Sequence, residues 1–222
     1  MFDGKFRQSV DARMAPIGRG LVSIGFSADW ITGSGLVFAG ATAWAIAIGW
    51  HWEAIILLTA MGFHDLLDGA VAKASHRASQ RGSFFDSVSD RIADALLMGG
   101  VAYYLTAQHR GELVLLPFAI LTTTFLISYQ RSKAESLGLA AKGGLMERAE
   151  RLILLGIGLV AAPVFVPVLW IMLALTAMTA GGRFWRVWQI AARPPAPSPS
   201  STMRLRQHSR RLRQGLSRAP RH

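Results

Sequence analysis

The sequence predicts an all-α integral membrane protein with six transmembrane helices and an N-terminal amphipathic interfacial helix. Three observations predict this fold class. Hydrophobic residues make up 51% of the 222 residues, and the mean hydropathy is +0.32, which is high for a soluble domain. Six mainly apolar stretches approach the roughly 20 residues that cross a bilayer. Lysine and arginine are concentrated in alternate loops between these stretches, as in cytoplasmic loops of membrane proteins.

The interfacial helix is predicted for residues 1–25. Apolar residues recur there at helical spacing beside basic ones: Phe6, Val10, Met14, Ile17, Leu21 and Ile24. That pattern is typical of a helix lying on the cytoplasmic membrane surface. The same pattern also fits an ordinary helix packed on the bundle, and the sequence does not separate the two.

The membrane domain is predicted for residues 26–190. The six expected spans cover residues 30–50, 52–72, 84–105, 113–129, 152–168 and 168–188. Pro163 and Pro167 predict a short turn between the last two. The second and third stretches contain aspartates, so they qualify as membrane spans only if these charges have a role inside the bundle.

The distribution of basic residues predicts the orientation. Basic residues precede the first span and lie in the second–third and fourth–fifth loops and after the sixth span. The opposite side carries only Arg110. This places both termini in the cytoplasm and predicts a multi-pass protein of the cell (plasma) membrane.

Residues 191–222 predict a disordered, Arg-rich cytoplasmic tail. The segment holds eight arginines and no acid, so the net charge of +11 belongs mostly to it. It is rich in Pro and Ser and poor in apolar residues, a composition typical of disorder. Binding to anionic lipid headgroups is the simplest role. No aromatic platform or recognition motif accompanies the charge, so we expect no nucleic-acid partner.

Five aspartates lie in the stretch 64-HDLLDGAVAKASHRASQRGSFFDSVSDRIAD-94, inside the most apolar part of the chain. An aspartate at the centre of a membrane helix costs roughly 2.5–3.5 kcal/mol. Asp65 and Asp68 are three residues apart, and Asp86 and Asp90 are four apart, so each pair shares one helix face. The two spans form a hairpin, and we therefore expect the four carboxylates to meet in a cavity near the cytoplasmic surface.

A cluster of carboxylates predicts a site for a divalent cation. The chain has no cysteine, which excludes thiol catalysis and thiolate ligation. Carboxylate oxygens suit Mg²⁺ or Mn²⁺ rather than zinc. Gly69 and Gly82 lie beside the acids, where the lack of a side chain lets a phosphate or nucleotide approach the backbone. The plainer alternative is a set of salt bridges to Lys73, Arg81 and Arg91.

The spacing of these residues resembles the signature of the CDP-alcohol phosphatidyltransferase family, D-x2-D-G-x2-A-R-x8-G-x3-D-x3-D. The chain matches it from Asp65 to Asp90, with Lys73 in place of the usual arginine. Upstream, 28-ADWIT-32 resembles the family's helix-opening segment, with Ala28 in place of proline. A plain N-cap explains the same residues equally well.

The resemblance implies a role for each matching residue. It implies metal binding by Asp65, Asp68 and Asp86, with Asp90 either completing the metal site or acting as the catalytic general base. It implies that the CDP moiety of CDP-diacylglycerol is bound by Asp29, Thr32, Asp68, Gly69, Ala72, Lys73 and Gly82. It also implies Mg²⁺ or Mn²⁺ as cofactor and a homodimer. Replacing arginine by Lys73 keeps the charge but loses a bidentate contact, which affects nucleotide affinity first.

A second segment, 127-ISYQRSKAESLGLAAKGGLMERAERLI-153, concerns the acceptor. It resembles the branch of the family, found in actinobacteria, whose acceptor is inositol phosphate. That resemblance implies phosphate binding by Arg131, Lys133, Arg148, Arg151 and Arg183. One of these arginines is expected to serve the structure instead, by pairing with Glu147 or Glu150. The alternative is that these basic residues only determine the topology.

The function predicted on this basis is transfer of the phosphatidyl group from CDP-diacylglycerol to a phosphorylated polyol. A phosphatidylglycerophosphate synthase, with glycerol 3-phosphate as acceptor, is the alternative within the family. Because intramembrane acids also mark ion pathways, a cation transporter is the alternative from another class. The clustering of the acids at one level, without a relay of acids across the other spans, favours the transferase.

Overall fold

The computed structural model describes residues 5–23, 28–74, 80–139 and 144–192, and within these ranges it contains helices and no strand. The helices are α1 (Lys5–Ser23), α2 (Ala28–Ala47), α3 (His51–Ala74), α4 (Gln80–Ala107), a 3₁₀ helix (Gly111–Val114), α5 (Leu115–Ser136), α6 (Arg148–Val160) and α7 (Ala162–Ala191). The all-helical architecture predicted from the sequence is confirmed. The chain up to Val187 forms one compact unit. The tail from residue 193 lies outside the described residues.

Four helices in the described part of the chain are long and apolar enough to cross a membrane. They cover Asp29–Ala47, His51–Val71, Gly111–Ser136 and Ala162–Ala191. The third predicted span corresponds to α4, which carries Asp86, Asp90 and Asp94. The fifth corresponds to α6, whose 13 residues extend only about 20 Å. The protein is a multi-pass membrane protein, and the count of six spans stays a prediction.

The predicted turn at Pro163–Pro167 is wrong. The backbone is extended at Ala161, and α7 begins at Ala162 and contains Pro167. Pro163 lies in the first turn of α7, where a missing N–H leaves no hydrogen bond unmade. The two helices pack closely beside this break, because a Cβ added at Gly158 would lie 3.2 Å from the Phe165 ring.

Helix α1 packs against α3. A Cβ added at Gly18 would lie 2.6 Å from the carbonyl oxygen of Ala70, so the two backbones touch. This contact supports the packed-helix alternative for the N-terminal segment. Ala70 directly follows Gly69 of the signature, so α1 braces the end of α3 that carries the aspartates.

Helices α2 and α4 cross at a second close contact. A Cβ at Gly100 would lie 2.4 Å from the carbonyl oxygen of Ala43. Such approach through small residues is typical of helix packing in membranes. Around it lies an apolar core that includes Ile46, Met61, Leu97, Ile120 and Leu169. The outer surface exposes Trp30, Trp44, Trp52 and Trp170, as expected of helices that face lipid and its interface.

We expect Gly100→Ala to destabilise the protein. The added methyl group would force α2 and α4 apart, at a cost of about 1–3 kcal/mol, the usual range for overpacking. The matched control is Gly99→Ala, since a Cβ at Gly99 meets no atom within 4 Å. The thermal unfolding midpoint in detergent should fall for Gly100→Ala and stay level or rise for Gly99→Ala. Equal midpoints would contradict the close crossing.

Candidate active site

The predicted carboxylates line one polar pocket among α2, α3, α4 and α6. The pocket encloses about 290 Å³ including open solvent. Asp65 and Asp68 enter it from α3, and Asp86 and Asp90 enter it from α4. The remaining lining residues are Ile31, Thr32, Gly35, Leu36, His64, Ser89, Ala93 and Arg148. The structure therefore brings together all four aspartates that the sequence analysis selected.

Two hydrogen bonds join α2 to α3 at the pocket. Thr32 Oγ1 donates to Asp68 Oδ2 at 2.6 Å, and Ser34 Oγ lies 2.7 Å from His64 Nε2. The first bond fixes one carboxylate at the pocket edge. It also places Thr32 beside the signature, where a substrate contact was predicted.

Arg148 lies among the carboxylates. Its Nε is 3.4 Å from Asp65 Oδ2, and its Nη1 contacts Asp90 Oδ1. Asp90 also accepts a hydrogen bond from Arg91 Nη2 at 3.2 Å. An arginine remains protonated in proteins, so Arg148 brings a positive charge to the pocket.

A second ion pair joins α4 to α6 one turn deeper. Arg151 Nη2 donates to Asp94 Oδ2 at 3.0 Å, and the two side chains are only 9% and 7% exposed. Asp90–Arg148 and Asp94–Arg151 thus form two successive rungs between the same helices. Arg148, Arg151 or Arg183 was expected to pair with Glu147 or Glu150, and of these Arg151 pairs with Asp94. Glu150 accepts a hydrogen bond from the Glu147 backbone N–H at 3.1 Å, at the start of α6.

The five basic residues predicted to bind the acceptor phosphate do not all converge. Arg148 lines the pocket, whereas Arg151 is held in the interior by Asp94. Arg183 is buried, and its Nη1 donates to the Ile127 carbonyl oxygen at 2.9 Å. Arg131 pairs with Glu135 on the surface at 3.0 Å, and Lys133 is exposed. Their role in acceptor binding stays a prediction.

The residues predicted to bind CDP-diacylglycerol occupy the ends of α2, α3 and α4. Asp29 lies in the first turn of α2, and its carboxylate is 3.8 Å from the exposed Arg81. Gly69 is exposed, and a Cβ there would meet nothing within 4 Å, which leaves room for a substrate group. Gly82 lies near the start of α4. Ala72 and Lys73 end α3, and their side chains lie outside the described part of the structure.

The four carboxylates offer the oxygen donors that Mg²⁺ and Mn²⁺ prefer. They line the pocket, but their oxygen atoms do not converge on one position. Within the residues that the structure describes, no three carboxylate or imidazole groups are arranged to hold one metal ion. Arg148 lies between Asp65 and Asp90, so its guanidinium occupies part of the space where such a group would form. The donor chemistry thus fits a hard divalent cation, provided that this guanidinium moves.

Sequence reasoning missed two features of the site. It gave no role to the Ser34–His64 contact, because nothing in the sequence indicates that these positions of α2 and α3 face each other. It also gave no partner to Asp94, although the i, i+4, i+8 spacing of Asp86, Asp90 and Asp94 on one helix, matched by Arg148 and Arg151 three apart, could have suggested a ladder.

Comparison with known proteins identifies the family. Residues 26–181 match the CDP-alcohol phosphatidyltransferase family, and the chain belongs to it. The chain is therefore an enzyme of the class that uses a CDP-linked lipid alcohol as donor.

Curated relatives share most of their length with the chain. It is 31% identical over 199 residues to the phosphatidylinositol phosphate synthase of Mycobacterium marinum, covering 85% of each chain. It is 38% identical over 152 residues to that of Cutibacterium acnes, covering 67% of this chain and 72% of the relative. It is 37% identical over 163 residues to the archaetidylinositol phosphate synthase of Methanothermobacter thermautotrophicus, covering 72% and 80%.

Two crystal structures of Mycobacterium tuberculosis phosphatidylinositol phosphate synthase resemble the chain, each with a TM-score of 0.74 and 28% identity. One has CDP-DAG bound, and the match covers 83% of this chain and 98% of that one. The other is a complex with manganese and citrate, with coverage of 82% and 93%.

We expect the Asp94–Arg151 ion pair to be essential for stability. Asp94→Ala would leave Arg151 buried without its carboxylate, at a cost of about 3–5 kcal/mol. The double variant Asp94→Leu, Arg151→Met removes both charges and should recover much of that loss. Glu135→Ala breaks only the exposed Arg131 pair and should cost about 0.5 kcal/mol or less. Thermal unfolding in detergent measures all three, and an unchanged midpoint for Asp94→Ala would contradict the buried pair.

Proposed function

We propose that the chain transfers the phosphatidyl group of CDP-diacylglycerol to a hydroxyl of inositol phosphate, forming phosphatidylinositol phosphate and releasing CMP. The observation that carries the proposal is the pocket in which Asp65, Asp68, Asp86 and Asp90 meet beside Arg148. It combines the acids of the family signature with a cation suited to a phosphorylated acceptor.

The likeness to known proteins favours inositol phosphate as acceptor. The Mycobacterium and Cutibacterium relatives are phosphatidylinositol phosphate synthases, and the Methanothermobacter relative is an archaetidylinositol phosphate synthase. Their names differ in the lipid and agree in inositol phosphate. We therefore assign the acceptor by what these relatives share. Glycerol 3-phosphate stays the alternative, because it too carries a phosphate.

The reaction exchanges one phosphorus–oxygen bond for another. The acceptor hydroxyl oxygen bonds to the β-phosphorus of CDP-diacylglycerol, the bond from that phosphorus to the bridging oxygen breaks, and CMP leaves with the bridging oxygen. Asp90 takes the hydroxyl proton as general base. Its side chain is 23% exposed, so it is reachable from the pocket. Holding the hydroxyl in line with the phosphorus supplies much of the acceleration.

Asp65, Asp68 and Asp86 hold the divalent cation in this proposal, and Asp90 lies beside them. When bound, Mg²⁺ or Mn²⁺ neutralises the pyrophosphate and stabilises the departing CMP. Manganese is present in one of the related M. tuberculosis structures. Thr32 supports the site by donating to Asp68, and the open space at Gly69 admits the nucleotide. Asp29, Ala72, Lys73 and Gly82 complete the nucleotide contacts.

The acceptor phosphate is bound by basic residues near the pocket. Arg148 is the first of these, because it already reaches the carboxylates from the start of α6. Arg131, Lys133, Arg151 and Arg183 are the other candidates. A phosphate contact by a charged donor contributes roughly 1.5–3 kcal/mol.

The setting of the reaction belongs to the same proposal. The bundle of residues 26–190 forms the catalytic domain in six spans, with the pocket and both termini in the cytoplasm and residues 1–25 at the membrane interface. The Arg-rich residues 191–222 contact anionic lipid headgroups. The enzyme acts as a homodimer, as the family resemblance implies. A cation transporter is disfavoured, because the four acids cluster around one pocket that also contains Arg148.

The first test is a substrate panel. Purified protein with CDP-diacylglycerol and Mg²⁺ should release CMP fastest with inositol phosphate and more slowly with free inositol or glycerol 3-phosphate. Faster release with glycerol 3-phosphate would overturn the acceptor and leave the family reaction. EDTA should stop the release, and Mg²⁺ or Mn²⁺ should restore it.

The second test separates the roles of the acids. Asp86→Ala should abolish CMP release and metal binding together. Asp90→Asn should bind CDP-diacylglycerol nearly as the wild type does but turn over about 100-fold more slowly, the usual scale for loss of a general base. Isothermal titration and single-turnover kinetics measure the two effects. Wild-type turnover in Asp90→Asn would remove Asp90 from the mechanism.

A further inference from the structure

We propose that Arg148 is an exchangeable counter-ion of the carboxylate pocket. Its guanidinium neutralises Asp65 and Asp90 until a divalent cation binds. The cation displaces it, and the released guanidinium turns to the acceptor phosphate. This inference rests on the proposed function, since it assigns a sequence of events to that same site.

The contacts of Arg148 show what it does in the pocket. It touches one aspartate from α3 and one from α4, at 3.4 Å from Asp65 and in direct contact with Asp90. Four carboxylates around one small pocket repel one another, and in a membrane such charges require compensation. Arg148 supplies that compensation between the two helices that carry the acids.

A guanidinium and a divalent cation cannot both hold the same oxygens. Each would have to lie within a few ångströms of the Asp65 carboxylate, where like charges repel strongly in a medium of low dielectric constant. Binding of the metal therefore displaces the guanidinium from Asp65. The same competition predicts that Arg148 weakens metal binding in the absence of acceptor.

The two rungs between α4 and α6 differ in a way that makes this exchange feasible. Arg151 and Asp94 are at most 9% exposed, whereas Arg148 is 19% and Asp90 23% exposed. The inner rung holds α6 against α4, and the Glu147–Glu150 contact fixes its first turn. Arg148 can thus change partners by rotating its long side chain, while the helix stays in place.

The exchange orders the assembly of the site. A guanidinium released from two carboxylates has free donors, and a phosphate monoester accepts them as a bidentate pair. Metal binding would thereby create the acceptor site, and the coupling must be reciprocal. Acceptor phosphate would hold Arg148 away from the acids and so strengthen metal binding.

The principal test measures Mn²⁺ binding to the purified full chain, without substrates, from the electron paramagnetic resonance signal of free Mn²⁺. Arg148→Gln should bind Mn²⁺ about tenfold more tightly than the wild type or better. Arg110→Gln is the matched control, because it removes the same charge from an exposed residue with no assigned role in the site, and its affinity should equal that of the wild type. If Arg148→Gln does not fold, Arg148→Lys, which loses the fork that spans two carboxylates, should also bind more tightly.

The outcomes separate this inference from the proposed function. If Mn²⁺ binds equally to the wild type and the Arg148 variants, and Asp86→Asn abolishes binding in each, the metal site stands and the exchange is overturned. If none of these proteins binds Mn²⁺, the metal site of the proposed function fails and this inference fails with it.

A second measurement needs no variant. Phenylglyoxal modifies accessible arginines, and peptide mass spectrometry locates the modified residues. Mn²⁺ should increase the modification of Arg148, while Arg151 stays protected and Arg131 reacts equally in both conditions. A decrease at Arg148, or no change, would overturn the exchange.

Discussion

Compensation of clustered negative charge is the constraint on which this structure depends. A chain that places four aspartates at one level of a membrane bundle must supply positive charge or hydrogen-bond donors at the same level. The fold does so with side chains from three separate helices. Thr32 comes from α2, Arg91 from α4 and Arg148 from α6. The helices that carry the chemistry are therefore also the helices that must pack together.

The contacts between pairs of helices in the bundle differ in their chemistry. The contact between α4 and α6 is ionic at two successive levels. The contact between α5 and α7 is made by hydrogen bonds without a carboxylate partner. Thr123 Oγ1 donates to Thr176 Oγ1 at 3.0 Å, and the buried Arg183 donates to the backbone carbonyl oxygen of Ile127. Where α2 meets α4, two backbones touch at Gly100 and Ala43, and Asp29 pairs with the exposed Arg81 near the starts of the two helices.

The sequence was sufficient to predict the class of fold and the convergence of the aspartates. The spacing of Asp65, Asp68, Asp86 and Asp90 carries the second prediction, because residues three or four apart share one helix face whatever the tertiary structure. The partner of Arg151 could not be predicted in this way. It depends on how α6 is placed beside α4, and a local pairing with Glu147 or Glu150 fitted the sequence equally well. The break at Ala161 was missed for a related reason, since proline is as acceptable in the first turn of a helix as in a loop.

The contact of Gly18 with Ala70 has a consequence for how substitutions in this chain would be interpreted. Position 18 lies far outside the signature segment, yet its backbone lies against the residue after Gly69. A larger side chain there would tilt the end of α3 and disturb the nucleotide contacts proposed for it. In a screen of random variants for activity, substitutions of Gly18 would therefore be grouped with those of the proposed catalytic residues. An N-terminal fusion that strained α1 would lower activity in the same way as an active-site substitution.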